Sequence, residues 1–455
     1  MAQVKSAELG TDPIGSLLFR QSLPSAIGIL VMSLNIVVDT IFVGNWIGST
    51  AIAAINVVLP VSFFISALGM AIGVGGGSVI SRALGRNDNK KACRTFGNEI
   101  VMTLSLVSIM VFFGLLFVDT LIPAFGGKGN IFSPAKTYYQ IILYGVPILA
   151  MNMMGSNTMR AEGKPKYAMV AMIVPTVINL FGDYLLIKVF DFGMAGAAWA
   201  TTLSYIFSFI YMLWFFTSGR SELHLNLIYL KPDKAIIREI SALSLVTLSR
   251  QAVVSIVYLI MNNILFNLGG ESAVAVYGII GRMLIFALFP ILGITQGFLP
   301  IAGYNYGAEK PFRVRKTINK AILYACIMAV IIFAGIQFFA PNIAAVFTKD
   351  ALVIKEAPNA MRWVFAAIPI IALQLIGAAY FQAIGKAKPA LLLTLTRQGF
   401  FFIPLVLILP NYFGELGVWI SFPIADTLST IVTAYFLNRE IRTDLRAREI
   451  KASAS

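Results

Sequence analysis

The chain has 455 residues, of which 58% are hydrophobic and only 12% carry a charge. A soluble fold cannot bury that much apolar surface, so the composition excludes a soluble enzyme, a disordered chain and a fibrous protein. The net charge of +14 comes from 35 Lys and Arg residues against 21 Asp and Glu residues. In a membrane protein this excess is typical of cytoplasmic loops, so no nucleic-acid partner is expected.

Long apolar runs predict transmembrane helices, because about 20 helical residues cross a hydrocarbon core of about 30 Å. The first run is too long for the apolar part of a cleaved signal and is interpreted as a retained span. Every span is predicted to be helical, because backbone polar groups in lipid must be satisfied within their own segment. The sequence contains twelve such spans, at about 17–43, 51–80, 95–118, 138–159, 167–187, 195–217, 239–265, 273–301, 318–340, 360–383, 390–410 and 416–437. The predicted fold is an all-α polytopic membrane protein.

The basic residues predict the orientation of these spans. Of the 35 Lys and Arg residues, 26 lie at the termini or in even-numbered connections, and five, including Lys349, lie in odd-numbered connections. Because cytoplasmic loops are enriched in Lys and Arg, both termini are expected in the cytoplasm. The N-terminal segment 1–16 and the basic tail 438–455 are then cytoplasmic.

The second half of the chain repeats the first. Adding 222 to a position in the first half often reaches the same residue type in the second half. Such matches include Gly75 with Gly297, Pro147 with Pro369, and Gly163 with Gly385. Each half holds six spans, so we predict two homologous six-helix lobes of the same orientation, 17–217 and 239–437, which is a transporter architecture. The polar stretch 218–238 is the predicted cytoplasmic linker.

Three acidic residues are predicted to lie deep within spans: Asp39 in span 1, Asp183 in span 5 and Asp426 in span 12. Charged groups inside a membrane are costly, so these carboxylates indicate function. Asn35 lies one turn before Asp39, and Asn179 lies four residues before Asp183 on the same helix face.

The repeat shows that this polar cluster belongs to the first lobe alone. The positions that match Asp39, Asn179 and Asp183 are Met261, Phe401 and Leu405. A purely structural polar group would tend to recur in both lobes, so the asymmetry favours an ion or proton site in the first lobe, which the hydroxyl of Thr201 in span 6 can join. The alternative is a pair of buried carboxylates that only holds helices together, and for Asp426 both interpretations stay open.

Proline and glycine have positional meaning in two spans. Pro24 lies inside span 1, where proline removes a backbone hydrogen bond and permits a kink, so it is either a hinge for coupling or a static bend. Gly69, Gly73 and Gly77 recur every four residues in span 2 and predict close helix packing. No phosphate-binding motif follows these glycines, so nucleotide binding is not expected.

Several segments together resemble one transporter family. They are VVDTIFVGNWIGSTAIAA, RAEGKPKYAM, PTVINLFGD, GMAGAAWAT and GITQGFLPIAGYNYGA. The chain resembles the multidrug and toxic compound extrusion (MATE) family over about residues 15–440, and its closest likeness is to the bacterial branch.

The resemblance implies a function and a site. It implies an antiporter of the bacterial inner membrane, driven by Na+ or H+, that exports drug-like organic cations and is not an enzyme. It implies a cation site at Asp39, Asn179, Asp183 and Thr201, with Pro24 at the bend of span 1 and no cofactor beyond the coupling ion. The expected partners are small-molecule substrates and membrane lipids, and the expected state is a monomer. Asn35 and Asp426 are possible secondary coupling residues.

The sequence departs from another branch of the family, which carries an acidic residue in span 7. Here that region reads LSRQAVVS, with Arg250 and Gln251. The alternative within transport is a flippase for lipid-linked oligosaccharides or other lipids, which needs a strongly basic cavity that only Arg250, Arg282 and Arg397 can supply. A passive channel or a receptor is a different class, and neither requires a pair of deep carboxylates.

Overall fold

The computed structural model describes residues 5–348 and 350–454. Within these ranges the chain is helical and contains no strand, as the apolar runs predict. Lys349 and the first four residues of the predicted N-terminal segment lie outside the described residues.

The helices of the first half begin and end within a few residues of the predicted spans. They are α1 (Ile14–Trp46), α2 (Ser49–Gly85), α3 (Asn89–Leu116), α4 (Phe132–Ala161), α5 (Pro165–Asp183) and α6 (Gly193–Thr217). The Asp88 carboxylate caps α3 by accepting a hydrogen bond of 2.9 Å from the Lys91 backbone N–H, which satisfies an amide that the helix leaves free. A π-helical turn, Tyr184–Val189, extends α5 beyond Asp183.

The first connection of the second half lies where the sequence predicts it, within residues 266–272, but it is a break in a continuous run rather than a loop. Residues Lys234–Gly307 form one run, which Gly270 interrupts with φ 65° and ψ −151°, a conformation that glycine adopts without a Cβ clash. Spans 7 and 8 are therefore two arms on either side of a single residue. The helices are α7 (Lys234–Gly307), α8 (Pro311–Phe347), α9 (Ala351–Val364), α10 (Ile368–Ala383), α11 (Ala387–Leu395) and α12 (Glu415–Glu440). A π-helical segment, Thr396–Phe402, continues α11.

The twelve predicted spans can be assigned to these helices. Nine helices of the described chain are long and apolar enough to cross a membrane, and the pair α9–α10, bent by 49°, adds another. The run α7 counts once among the nine although Gly270 divides it, and the 30-residue α4 supplies the remaining span.

The chain divides into two compact units by its internal contacts. Unit 1 comprises Met1–Glu8 and Ile27–Thr247, and unit 2 comprises Leu9–Ala26 and Leu248–Ser455. The borders lie inside α1 and α7 rather than at the predicted linker 218–238. Unit 1 thus contains the first turns of α7, and unit 2 contains the first turns of α1.

One packing contact recurs in both units. In unit 1, a Cβ on Gly75 would lie 2.5 Å from Ser244 Oγ; in unit 2, a Cβ on Gly297 would lie 2.6 Å from Ser22 Oγ. The glycines and the serines are each separated by 222 positions. The repeat in the sequence therefore appears as the same close approach of backbones within each unit.

The predicted packing of the span 2 glycines is confirmed in unit 1. A Cβ on Gly73 would lie 2.7 Å from the Met154 carbonyl oxygen, and a Cβ on Gly77 would lie 3.3 Å from Ala161 Cβ. The backbones of α2 and α4 approach closely because no side chain separates them. This contact fixes α4, whose side chains form part of the cavity described below.

Candidate cation site

Two carboxyl groups meet inside unit 1. Asp39 lies late in α1 and is half-buried, whereas Asp183 ends the regular part of α5 and is fully buried. Their side chains are within hydrogen-bond range of each other. Two carboxylates this close cannot both keep their charge in a low-dielectric site unless a proton or a cation binds with them.

A chain of polar side chains joins α1, α5 and α6 beside this pair. The Asn35 amide donates to Asn179 Oδ1 at 3.2 Å, and the Asn179 amide donates to Thr201 Oγ1 at 3.3 Å. The Thr201 hydroxyl donates in turn to the Ala197 carbonyl at 3.0 Å. The structure therefore brings together Asn35, Asp39, Asn179, Asp183 and Thr201, as the sequence predicts.

Three buried acceptors in this cluster have no hydrogen-bond donor within the described ranges. They are Asn35 Oδ1 and both carboxyl oxygens of Asp183. Buried acceptors without a partner are costly, so such a group indicates a missing proton or ligand. The available ligands are carboxylate, amide and hydroxyl oxygens, which suit a hard cation such as Na+ and equally suit a proton. The residues present therefore fit the coupling ion that the sequence implies.

A cavity of about 150 Å³ opens above the cluster within unit 1. Asp39, Asn35, Asn179 and Thr201 line this cavity, whereas Asp183 lies behind its wall. The remaining lining combines apolar and aromatic side chains with hydroxyl and amide groups. The former include Met32, Phe63, Tyr138, Met153, Met172, Pro175 and Tyr205, and the latter include Ser62, Ser66, Asn152 and Ser156. Thioethers and aromatic rings adapt to apolar ligands of different shapes, and a carboxylate at the base attracts a positive group.

Pro24 is not part of this cavity. It is a buried residue inside α1, fifteen residues before Asp39. The border between the two units falls at Ala26–Ile27, two residues after Pro24. The predicted hinge therefore lies where the contacts of α1 change from one unit to the other, and its role stays a prediction.

Asp426 lies in unit 2, away from this cluster in the chain and in its contacts. Only 4% of its surface is exposed, and Arg397 Nε donates to its carboxylate at 2.7 Å. This ion pair could not be predicted from the sequence, because its two partners lie in separate spans, Arg397 in the π-helical segment after α11 and Asp426 in α12. A role of Asp426 in ion coupling stays a prediction.

A further buried carboxyl group, Glu99 on α3, was not singled out from the sequence. Thr158 Oγ1 donates to Glu99 Oε2 at 2.9 Å, whereas Glu99 Oε1 has no partner in the described chain. Glu99 lies near the start of its predicted span, where a carboxylate is not expected to be deep in the membrane. Tyr205 beside Asp39 was also missed, although it lies four residues after Thr201 on the same face of α6.

The repeat is also found when the chain is compared with known proteins. The MatE family model matches residues 24–185 and again residues 247–408. The chain belongs to the MATE family. It is 26% identical over 436 residues to the "Multidrug export protein MepA" of Staphylococcus aureus (strain NCTC 8325 / PS 47), covering 95% of this chain and 96% of that protein.

Solved structures of MATE proteins share the whole fold. A MATE transporter in the bent conformation matches with a TM-score of 0.90 and 27% identity, over 99% of both chains. An outward-facing multidrug resistance MATE transporter matches with a TM-score of 0.89 and 27% identity, over 97% of this chain and 98% of that one. This MATE protein is thus a multi-pass membrane transporter and not an enzyme.

Proposed function

We propose that this MATE transporter is a multidrug antiporter, driven by H+ or Na+, that exports drug-like organic cations by alternating access. The observation that carries the proposal is the Asp39–Asp183 pair, of which Asp39 lines a cavity, together with buried oxygens that have no donor. The multidrug export proteins among its relatives support the substrate class.

The depth of the two carboxyl groups gives each a different task. Asp39 lines the cavity, so a cationic substrate can reach it; Asp183 lies behind the wall, so only a proton or a small cation can. An ion held by Asp183, Asn35 and Asp39 would reduce the negative charge of the pair by one and weaken its attraction for the drug. Drug binding and ion binding therefore compete, and the exchange of drug for ion requires this competition.

The same cluster can convert ion binding into a change of shape. Asn35 and Asp39 belong to α1, Asn179 and Asp183 to α5, and an ion that bridges them draws the two helices together. An ion shifts a conformational equilibrium only by its difference in affinity for the two states. Pro24 weakens α1 where the unit border crosses it, and we assign the bend to that point.

We propose that the protein lies in the bacterial inner membrane; the basic connections support cytoplasmic positions for both termini. The cluster is complete within a single chain, so a monomer surrounded by lipid is sufficient for transport. Neither a nucleic acid nor a cofactor has a part in this mechanism.

A flippase for lipid-linked oligosaccharides is the alternative function. Its anionic headgroup requires basic groups, yet the lining of the unit 1 cavity contains the carboxylate of Asp39 and no Lys or Arg among the described residues. Drug export is therefore the better supported function. A passive channel has no need of a paired carboxylate site.

The experiment measures uphill export of the cationic dye ethidium in proteoliposomes without ATP. An imposed Na+ or pH gradient should drive accumulation, and its dissipation should stop it. One elementary charge across 100 mV supplies about 2.3 kcal/mol, which supports roughly a forty-fold dye gradient. Export that requires ATP and ignores both gradients would contradict the proposal.

A counterflow measurement separates the carrier from the channel. Dye on the far side of the membrane should accelerate entry of labelled dye in a carrier. Equal rates with and without dye on the far side would indicate a channel.

A further inference from the structure

Unit 2 contains a charged cluster inside its membrane-spanning helices. Arg397 lies in the π-helical segment Thr396–Phe402, and Asp426 lies on α12. The ion pair between them is 2.7 Å long, and the side chains are 16% and 6% exposed. A π-helical turn inside an α-helix is frequent at functional sites, because it re-aims the side chains that it carries.

A second guanidinium adjoins this pair. Arg250 on α7 is partly buried and lies in electrostatic range of Arg397. The two segments pack together, since a Cβ on Gly399 would lie 4.0 Å from the methyl groups of Val253. Within residues 5–348 and 350–454, no carboxylate forms an ion pair with Arg250. The cluster therefore holds two positive charges against one negative charge.

An excess charge inside a membrane protein is expensive unless a partner neutralises it. The guanidinium group is a planar fork that matches the two oxygens of a carboxylate, and this geometry favours it over an ammonium group. The surplus of one positive charge matches an anion with one negative charge. A lipid-linked pyrophosphate carries more charge than this cluster can neutralise.

The repeat relates this cluster to the cavity of unit 1. Subtracting 222 from Arg397 gives Pro175. Near the end of the repeat the offset is 221, as Gly196 and Gly417 show, so the counterpart of Asp426 is Tyr205. Both Pro175 and Tyr205 line the unit 1 cavity. The cluster thus lies in the part of the repeat that binds ligand in the other unit. At these matching positions, unit 2 has charged residues where unit 1 has uncharged residues that line the cavity.

We propose that Arg250, with the Arg397–Asp426 pair, forms a subsite for the carboxylate group of an amphipathic substrate. The inference rests on the proposed export function and extends it from organic cations to zwitterions. Arg250 makes the charge-assisted contact, and Asp426 holds Arg397 and limits the positive charge of the subsite to one.

The test compares two dyes that differ in one charge. Rhodamine 110 carries a free carboxylate, and rhodamine 123 is its methyl ester. Fluorescence anisotropy gives the Kd of each dye for the purified full-length protein, and the ratio of the two Kd values reports the preference for the acid. Equilibrium binding needs no ion gradient, so a failure of coupled export would leave this ratio unchanged.

Arg250→Gln should reduce the preference for the acid about tenfold, since a charge-assisted hydrogen bond is lost. Arg250→Lys should restore part of it. Asp426→Asn should have the opposite effect and raise the preference, because it leaves two uncompensated positive charges. The matched control is Arg362→Gln, since Arg362 lies on α9 and bonds to the Gln337 carbonyl at 3.3 Å.

Two results would overturn the proposal. One is a ratio that stays the same in wild type, Arg250→Gln and Asp426→Asn. The other is an inorganic occupant: if wild type shows no preference for the acid, while chloride stabilises wild type but not Arg250→Gln against heat, the subsite binds a free anion. If Arg250→Gln does not fold, an unchanged ratio in Asp426→Asn is sufficient to reject the inference.

Discussion

The two units share a packing scheme and carry opposite charges within their membrane spans. In unit 1, Asp39 and Asp183 place two carboxyl groups beside a cavity. Unit 2 has Met261 and Leu405 at the matching positions, and it carries Arg250 and Arg397 instead.

The difference separates what the fold needs from what the function needs. The contacts of Gly75 with Ser244 and of Gly297 with Ser22 recur because close helix packing requires only small residues. The charged residues of the two units, by contrast, do not recur at matching positions. A buried charge that the repeat does not share is therefore the better indicator of function.

The largest effect is expected from variants that remove the carboxylates of unit 1. Asp39→Asn and Asp183→Asn should each abolish ethidium export while the protein still reaches the membrane. A neutral amide cannot titrate or balance a monovalent cation in a low-dielectric site. Cellular efflux, compared with protein abundance in the membrane, measures this effect.

The control for these variants is Asp119→Asn. Asp119 is an exposed carboxylate whose ion pair with Lys136, 2.5 Å long, lies outside the cavity. It should export at the wild-type rate. If Asp39→Asn and Asp183→Asn also export at the wild-type rate, the proposed cation site in unit 1 is contradicted.

A second test concerns the packing that both units share. Gly75→Leu and Gly297→Leu should each destabilise the protein by about 1–3 kcal/mol or more, because a side chain would collide with backbone atoms of Ser244 or Ser22. Gly335→Leu on α8 is the control, since a Cβ there meets no atom within 4 Å. Yield and melting temperature in detergent measure the loss. Damage from only one of the two glycine variants would show that the contact is not equivalent in the two units.

A third test addresses the bend of α1. The repeat position of Pro24 is Val246 on α7, so only the first repeat has this proline. Pro24→Ala restores a backbone hydrogen bond and should lower turnover several-fold while the Kd of the dye stays within about twofold. Proteoliposome transport and dye binding measure the two quantities separately. Pro60→Ala on α2 is the control, and an equal loss of binding and turnover would reduce Pro24 to a structural role.

Much of this fold follows from the sequence. Apolar length predicts twelve spans, and the repeat predicts that the two halves share a packing scheme. The break at Gly270 lies in the connection 266–272 that the sequence predicts, but the pattern does not show that a single glycine makes the break.

The residues of the site could be predicted from the sequence, but their arrangement in space could not. Asp39, Asn179 and Asp183 were identified because polar groups deep in a span are costly. That Asp183 lies behind the wall while Asp39 lines the cavity depends on how α1 and α5 face each other. The Arg397–Asp426 pair joins two spans, and the spacing of residues within one helix carries no information about it.

The smallest expected effect concerns Glu162, which follows α4 and whose repeat position is the apolar Ile384. Its buried carboxylate accepts hydrogen bonds from the Ser221 hydroxyl at 2.7 Å and from the Glu222 backbone N–H at 2.8 Å. Burial nevertheless raises the pKa of Glu162 from 4.5 to about 8, because desolvation penalises the charged form more than these bonds stabilise it.

The sign of the pH dependence follows from this shift. Between pH 4.5 and pH 8 the folded protein keeps a proton on Glu162 that the unfolded chain has lost, so stability should decrease as the pH rises through this range. Wild type should melt a few degrees lower at pH 9 than at pH 6. Glu162→Gln keeps an acceptor for Ser221 and cannot ionise, so it should lose much of this difference, whereas Glu356→Gln at an exposed position should keep it. A pH dependence that is identical in wild type and Glu162→Gln would show that Glu162 is already ionised in the folded protein, with its charge balanced by the two hydrogen bonds.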